Sequence, residues 1–204
     1  MRFAILSNVP RPQRVNALLF VLAMVALMWL SEALDSVLGG DLDQYGIVPR
    51  TDEGVAGIAA APFLHAGFGH LVSNTVPFLA MGAVIALGGL RRVLLVTLVV
   101  AGVSGAGTWL VASGSSVHLG ASGVVFGYAT YLLTRGFLNR DLVHLGIAVI
   151  VAVMWGAALL GGLLPQDGIS WQAHLFGAIG GIMAARLLAR RAPQATRPQA
   201  RSVS

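Results

Sequence analysis

Ser122 stands between glycines in Gly120-Ala121-Ser122-Gly123, at the head of the apolar stretch Val124-Val125-Phe126-Gly127-Tyr128-Ala129. Neighbours no larger than a methyl group let another helix or a substrate backbone approach the hydroxyl. A serine at a helix start also leaves its own and adjacent N–H groups without intrahelical partners. A nucleophile beside free donors is the core of an acyl-transfer site. Gly-x-Ser-Gly is equally a small-residue packing surface of membrane helices, so the chemistry depends on what else reaches the same level. Three side chains qualify. His70 and Asn74, four apart, share one helix face, and His174 sits in the small-residue run Ala173 to Gly181. In the expected arrangement Ser122 attacks a carbonyl and His174 takes its proton and returns it to the leaving amine. The Ser122 N–H with the His70 and Asn74 side chains holds the developing oxyanion. No acidic third member is available at that depth. Gly177 and Gly181 form a small face that would let the histidine helix come close to the serine helix.

The elements that must carry these groups are membrane helices. Of 204 residues 56% are hydrophobic and 10% charged, and the mean hydropathy is +0.80. Such a composition excludes an ordinary soluble domain. The chain lacks cysteine, which removes thiolate chemistry, disulfides and Cys-based metal sites. Apolar runs predict six spans, at about 15–34, 70–90, 93–112, 120–134, 142–164 and 169–188. The basic stretch before the first is expected as residues 1–14, the membrane domain as 15–189, and a disordered basic tail as 190–204. The serine-bearing span is short and fits if the chain dips into protein-lined membrane before its helix begins. Residues 35–69 form the longest connection, acidic at first; its apolar part, Val55 to Phe68, is expected to lie embedded beside the second span without crossing.

Charge placement tests the count. With a cytoplasmic N-terminus, twelve of the thirteen arginines (2, 11, 14, 91, 92, 135, 140, 186, 190, 191, 197 and 201) fall inside and Arg50 alone outside. Seven acidic residues fall outside and only Asp141 inside. Both termini are therefore expected in the cytoplasm. Ser122, His70, Asn74 and His174 then lie at one depth below the outer surface, and polar groups gathered in lipid mark a site.

These residues carry a family resemblance. His70-Leu71-Val72-Ser73-Asn74, Gly120-Ala121-Ser122-Gly123, and Ala173-His174 followed by Gly177 and Gly181 resemble, in order and placement, the motifs of the bacterial rhomboid intramembrane serine proteases with a six-helix core. The resemblance implies an all-α, polytopic bundle of six transmembrane helices. It implies a serine endopeptidase working through a Ser–His dyad without metal or cofactor. Its substrates would be single-pass membrane proteins, cut near the outer ends of their helices, and its setting the bilayer of a bacterial plasma membrane, with no nucleic-acid partner. It further implies that His65 orders the first loop. Two positions depart from the family pattern: Ala56-Gly57 stand where many members have Trp-Arg, and Phe126 stands where a tyrosine commonly packs on the catalytic histidine. An inactive rhomboid-like binding protein would usually lack Ser122 or His174, and both are present. A soluble-hydrolase elbow would need glycine where Val124 stands, and a zinc protease would need His-Glu-x-x-His.

Overall fold

A computed structural model describes residues 9–139 and 142–189. Within them the chain forms seven helices: α1 (Arg11–Leu38), α2 (Asp52–Ala60), α3 (Phe68–Ala86), α4 (Leu90–Val111), α5 (Ser122–Asn139), α6 (Leu142–Gly162) and α7 (Trp171–Leu187). Short 3-10 turns cover Asp43–Tyr45 and Ala61–Phe63, and the only β pairing among the described residues is two isolated bridges. Arg2, Arg140, Asp141 and residues 190–204 lie outside the described residues.

Helices α1, α3, α4 and α6 are each long and apolar enough to cross a membrane unaided. The 18 residues of α5 rise about 27 Å and the 17 of α7 rise about 26 Å. Both are close to the hydrocarbon thickness, and both sit inside the bundle, where neighbouring helices replace lipid. Six of the seven helices therefore match the six predicted spans. The seventh, α2, is a correction: the first connection is not loop throughout. Thr51 accepts the Gly54 N–H at 3.0 Å, and Asp52 and Glu53 follow in the first turn, where the helix dipole favours negative charge. Nine residues rise only about 13 Å, so α2 does not span. Its position also differs from the expectation. It packs against α4 instead of α3, with Ile58 seated over Gly105. A second correction is the start of α1, which takes Arg11 and Arg14 out of the basic tail and into its first turns, with Pro12 in the place where a missing N–H costs nothing.

The centre of the bundle is the contact of α5 with α7, flanked by α4. A Cβ on Gly177 would collide with the Gly123 carbonyl, and one on Gly181 with the Gly127 carbonyl and the Thr130 hydroxyl. Gly123 and Gly127 are thus the counterpart of Gly177 and Gly181, and backbone lies directly on backbone. On the far side of α7, Phe176 lies across Gly107 of α4. Between helices in lipid the hydrophobic effect gives no net attraction, so this close fit and the hydrogen bonds that bridge it supply the association. Ser104 donates to the Ala173 carbonyl at 2.8 Å and Thr130 to the Ala178 carbonyl at 2.8 Å. On the opposite face of α5, Tyr128 is fully buried against Phe78 of α3, ring centroids 5.3 Å apart, with its hydroxyl donating to Thr97, whose own proton goes to the Val93 carbonyl. Helix α6 stands apart. It packs chiefly on α5 and buries only Ala148 and Val151.

Gly181→Leu would drive a side chain into the Gly127 carbonyl and should destabilise the detergent-solubilised protein by about 3 kcal/mol or more. Gly146→Ala on α6, with no atom within 4 Å of the new Cβ, should be neutral or stabilising by up to about 1 kcal/mol. Reversible unfolding in mixed micelles measures both, and equal effects would contradict the packing described.

Candidate active site

Ser122 is the first residue of α5, and the segment before it is held from both sides by the connection between α1 and α3. His118 exchanges both backbone bonds with Ile47, at 2.8 and 3.0 Å. The Gly120 N–H donates to the Ala61 carbonyl at 2.8 Å, and the Ala121 N–H to His65 Nε2 at 3.4 Å. Gly120 is obligatory twice over: its φ is +110°, and a Cβ would lie 2.7 Å from the His70 ring. The His118 carbonyl, one turn before Ser122, accepts from Ile47, and Ser122, as the first residue of α5, has no intrahelical acceptor for its N–H. The Ser122 N–H is thereby left as a helix N-terminal donor.

His174 lies one turn into α7, below the cap formed by Ser170, which accepts the Ala173 N–H at 3.4 Å. Its Nε2 is 2.8 Å from Ser122 Oγ, and its Nδ1 is 2.7 Å from the carbonyl of Gly162 at the end of α6. A carbonyl only accepts, so the Nδ1 carries the proton and the Nε2 lone pair faces the serine hydroxyl. Gly162 is small for the same reason: a Cβ there would lie 2.6 Å from the Phe126 ring and 3.0 Å from His174 Nδ1. Phe126, one turn after the serine, stacks on the His174 ring with centroids 4.0 Å apart and planes 6° from parallel. The imidazole is only 7% exposed.

His70 and Asn74 face the pair from α3. The His70 Nδ1 accepts the Ala66 N–H at 3.4 Å, which leaves the ring proton of the neutral form on Nε2. One N–H of Asn74 is held by the His70 carbonyl at 3.0 Å. The ring of His65 meets His70 edge-on, centroids 5.1 Å apart, and is 1% exposed. Burial, with the His70 ring beside it, lowers its pKa to about 4, so it is neutral and can accept from Ala121. Pro77 follows Ser73 by one turn and has no N–H, which frees the Ser73 carbonyl at the same wall.

His70, Asn74, Ser122, Phe126 and His174 line one cavity of about 490 Å³, together with Trp155 of α6. Ile169 and Ser170 form part of its rim. The structure therefore brings together every residue singled out in the sequence, in three shells. Ser122, His174, His70 and Asn74 line the cavity. His65 and Gly120 touch His70, and Phe126, itself part of the lining, stacks on His174. Gly123, Gly177 and Gly181 set the approach of the two helices. Sequence reasoning missed Gly162, whose contribution is a backbone carbonyl, and Trp155. The available signal for Gly162 was the Gly161-Gly162 pair closing the fifth span; a main-chain acceptor leaves no other trace in a sequence. No group of three or more His or acidic side chains among the described residues is arranged to hold a metal ion.

Comparison with known proteins bears on the family of the chain. A family model described as “Rhomboid domain” matches residues 52–191. An uncharacterised protein of Mycobacterium tuberculosis is 39% identical over 203 residues, covering 94% of this chain and 85% of its own. An uncharacterised protein of Mycobacterium leprae is 40% identical over 178 residues, covering 82% and 70%. A Bacillus subtilis protein with the printed name “Putative rhomboid protease YdcA” is 32% identical over 174 residues, covering 80% and 84%. The membrane-helix bundle, the motif-bearing helices and these matches lead to one assignment: the chain belongs to the rhomboid family.

Proposed function

We propose that the protein is an intramembrane serine endopeptidase that cuts single-pass membrane proteins near the outer ends of their helices. The observation that carries this reading is the 2.8 Å contact of Ser122 Oγ with His174 Nε2 at the wall of a cavity that also holds the His70 and Asn74 donors. Ser122 Oγ bonds to the scissile carbonyl carbon as its proton passes to His174 Nε2. The imidazolium so formed is stabilised by the Gly162 carbonyl, the role a carboxylate fills in a triad, and by the flat face of Phe126. The Ser122 N–H, His70 Nε2–H and the second Asn74 N–H are the donors for the oxyanion. The intermediate collapses when the C–N bond breaks and His174 gives its proton to the leaving amine. Water then adds to the acyl carbon as His174 Nε2 takes its proton, and the Ser122 Oγ–C bond breaks as that proton is returned to Oγ, which releases the acid and restores the hydroxyl.

Access follows from the packing. The cavity lies between α3 and α6, and α6 is held chiefly by α5, so a substrate segment reaches Ser122 from the lipid side with little packing to displace. The proposed setting is the bacterial plasma membrane with both termini cytoplasmic, which the arginine distribution supports. A C-terminal reporter active only outside the cytoplasm should stay silent; a signal from it would overturn this orientation.

The residues divide by role. Ser122→Ala and His174→Ala should each abolish cleavage of a single-pass substrate in proteoliposomes, and the double variant should be no worse, because the two act as one unit. His70→Ala and Asn74→Ala should each lower the rate about 10²–10³-fold, as for other side-chain oxyanion donors. Thermal stability of each variant separates lost chemistry from lost folding. Wild-type cleavage by a folded Ser122→Ala protein would end the protease reading and leave Ser122 as a small packing residue.

A further inference from the structure

A second serine–histidine contact lies outward of the first, in the same register. His118 precedes Ser122 by four residues and Ser170 precedes His174 by four. His118 Nδ1 and Ser170 Oγ are 2.8 Å apart, and both pairs join residues 52 apart in the chain. Ser170 is the N-cap of α7, and the His118 backbone is locked to Ile47 in the approach to Ser122. One side-chain contact thus joins the two segments that deliver the two reacting groups.

The direction of every proton in this chain can be worked out. Ser116 donates its hydroxyl to the Ser113 carbonyl at 2.8 Å, so it offers only a lone pair to His118 Nε2, 2.9 Å away. The Nε2 must then carry the ring proton, and burial, which pushes the His118 pKa below its ordinary value, keeps the ring neutral. Nδ1 accordingly accepts from the Ser170 hydroxyl, whose oxygen keeps a lone pair for the Ala173 N–H at 3.4 Å. The donors run Ala173 N–H, Ser170 O–H, His118 Nε2–H and Ser116 O–H, each used once, and the chain ends on the Ser113 carbonyl as acceptor. Phenylalanine would fill the same space and break it in two places. Glutamine, with one acceptor and one donor end, could restore it.

We infer that His118 is a positioning residue: by bonding to Ser170 it fixes the first turn of α7 against the segment leading into Ser122, and so sets the Ser122–His174 geometry. Its effect on turnover rests on the protease reading above, whereas its effect on the first turn of α7 does not.

The test uses His118→Phe, His118→Gln, Ser170→Ala and the His118→Phe/Ser170→Ala double variant of the full chain in detergent. Two readouts are taken: turnover of a single-pass substrate, and hydrogen exchange of the Ala173 and His174 amides. His118→Phe should lower kcat about tenfold with KM within about twofold, since a small misplacement of reacting groups falls on the chemical step. The two amides should exchange about tenfold faster. His118→Gln should recover both readouts to within about threefold. In the Ser170→Ala background, His118→Phe should add nothing further, because the bond is already gone. A wild-type kcat and exchange rate in His118→Phe, or losses that multiply in the double variant, would overturn the inference. If the wild-type protein cleaves nothing, the protease reading fails, while the exchange rates and their cycle still decide whether His118 holds α7.

Discussion

Four glycines let the backbones of α5 and α7 touch, and the site depends on that approach. The Gly123 and Gly127 carbonyls occupy the space that side chains at 177 and 181 would need, so α7 lies closer to α5 than any side chain at those positions would allow. Ser122 and His174 project from these two helices, and this approach brings them to 2.8 Å. A larger residue at the crossing would push the two helices apart, and Ser122 and His174 with them. Ser104 and Thr130, bonded to α7 carbonyls, add polar fastening where lipid offers no hydrophobic drive.

The second constraint is that irregular backbone near a membrane must have its polar groups satisfied by protein. The ten residues between α4 and α5 meet it by borrowing from the long first connection: Ile47, Ala61 and His65 bond to His118, Gly120 and Ala121 in turn. That connection is itself tied down to α4. Trp109 donates to the Thr51 carbonyl at 2.8 Å, and Arg50, at φ +60°, donates to the Leu110 and Ala112 carbonyls, satisfying the end of the helix. Arg50 is the one arginine on the outer side in the proposed orientation, and it is used as a helix C-cap. In a chain with Ala56-Gly57 in place of the family's Trp-Arg, Trp109 and Arg50 anchor the loop, and Gly57 lets α2 lie on the Gly46 carbonyl.

The third concerns how a base is held without an acid. A buried carboxylate beside His174 would need solvation that this depth does not offer. A main-chain carbonyl sets the same tautomer without a net charge, and the last residue of α6 supplies one because helix C-termini leave carbonyls unpaired. In the proposed reading, a helix end takes the place that an aspartate has in a soluble serine protease. This use ties α6, which buries only Ala148 and Val151, to His174, so a helix that lines the cavity also orients the imidazole.

Much of this was legible in the chain as written. Six apolar runs, a lopsided arginine distribution, and Ser122, His70, Asn74 and His174 at matching depths determined the helical bundle and named the groups that meet, because hydrophobic length and polar cost in lipid act on each segment separately. Gly177 and Gly181 announced a close helix contact for the same local reason. Other features had no such signature. That Gly123 and Gly127 are the opposing surface, that the Gly162 carbonyl orients His174, that α2 rests on α4, and that His118 reaches Ser170 are all relations between distant segments. Each is made by backbone atoms or by small residues whose types permit many partners. Only the three-dimensional packing selects one, because the short range of contact and hydrogen-bond forces makes position, not residue type, decisive.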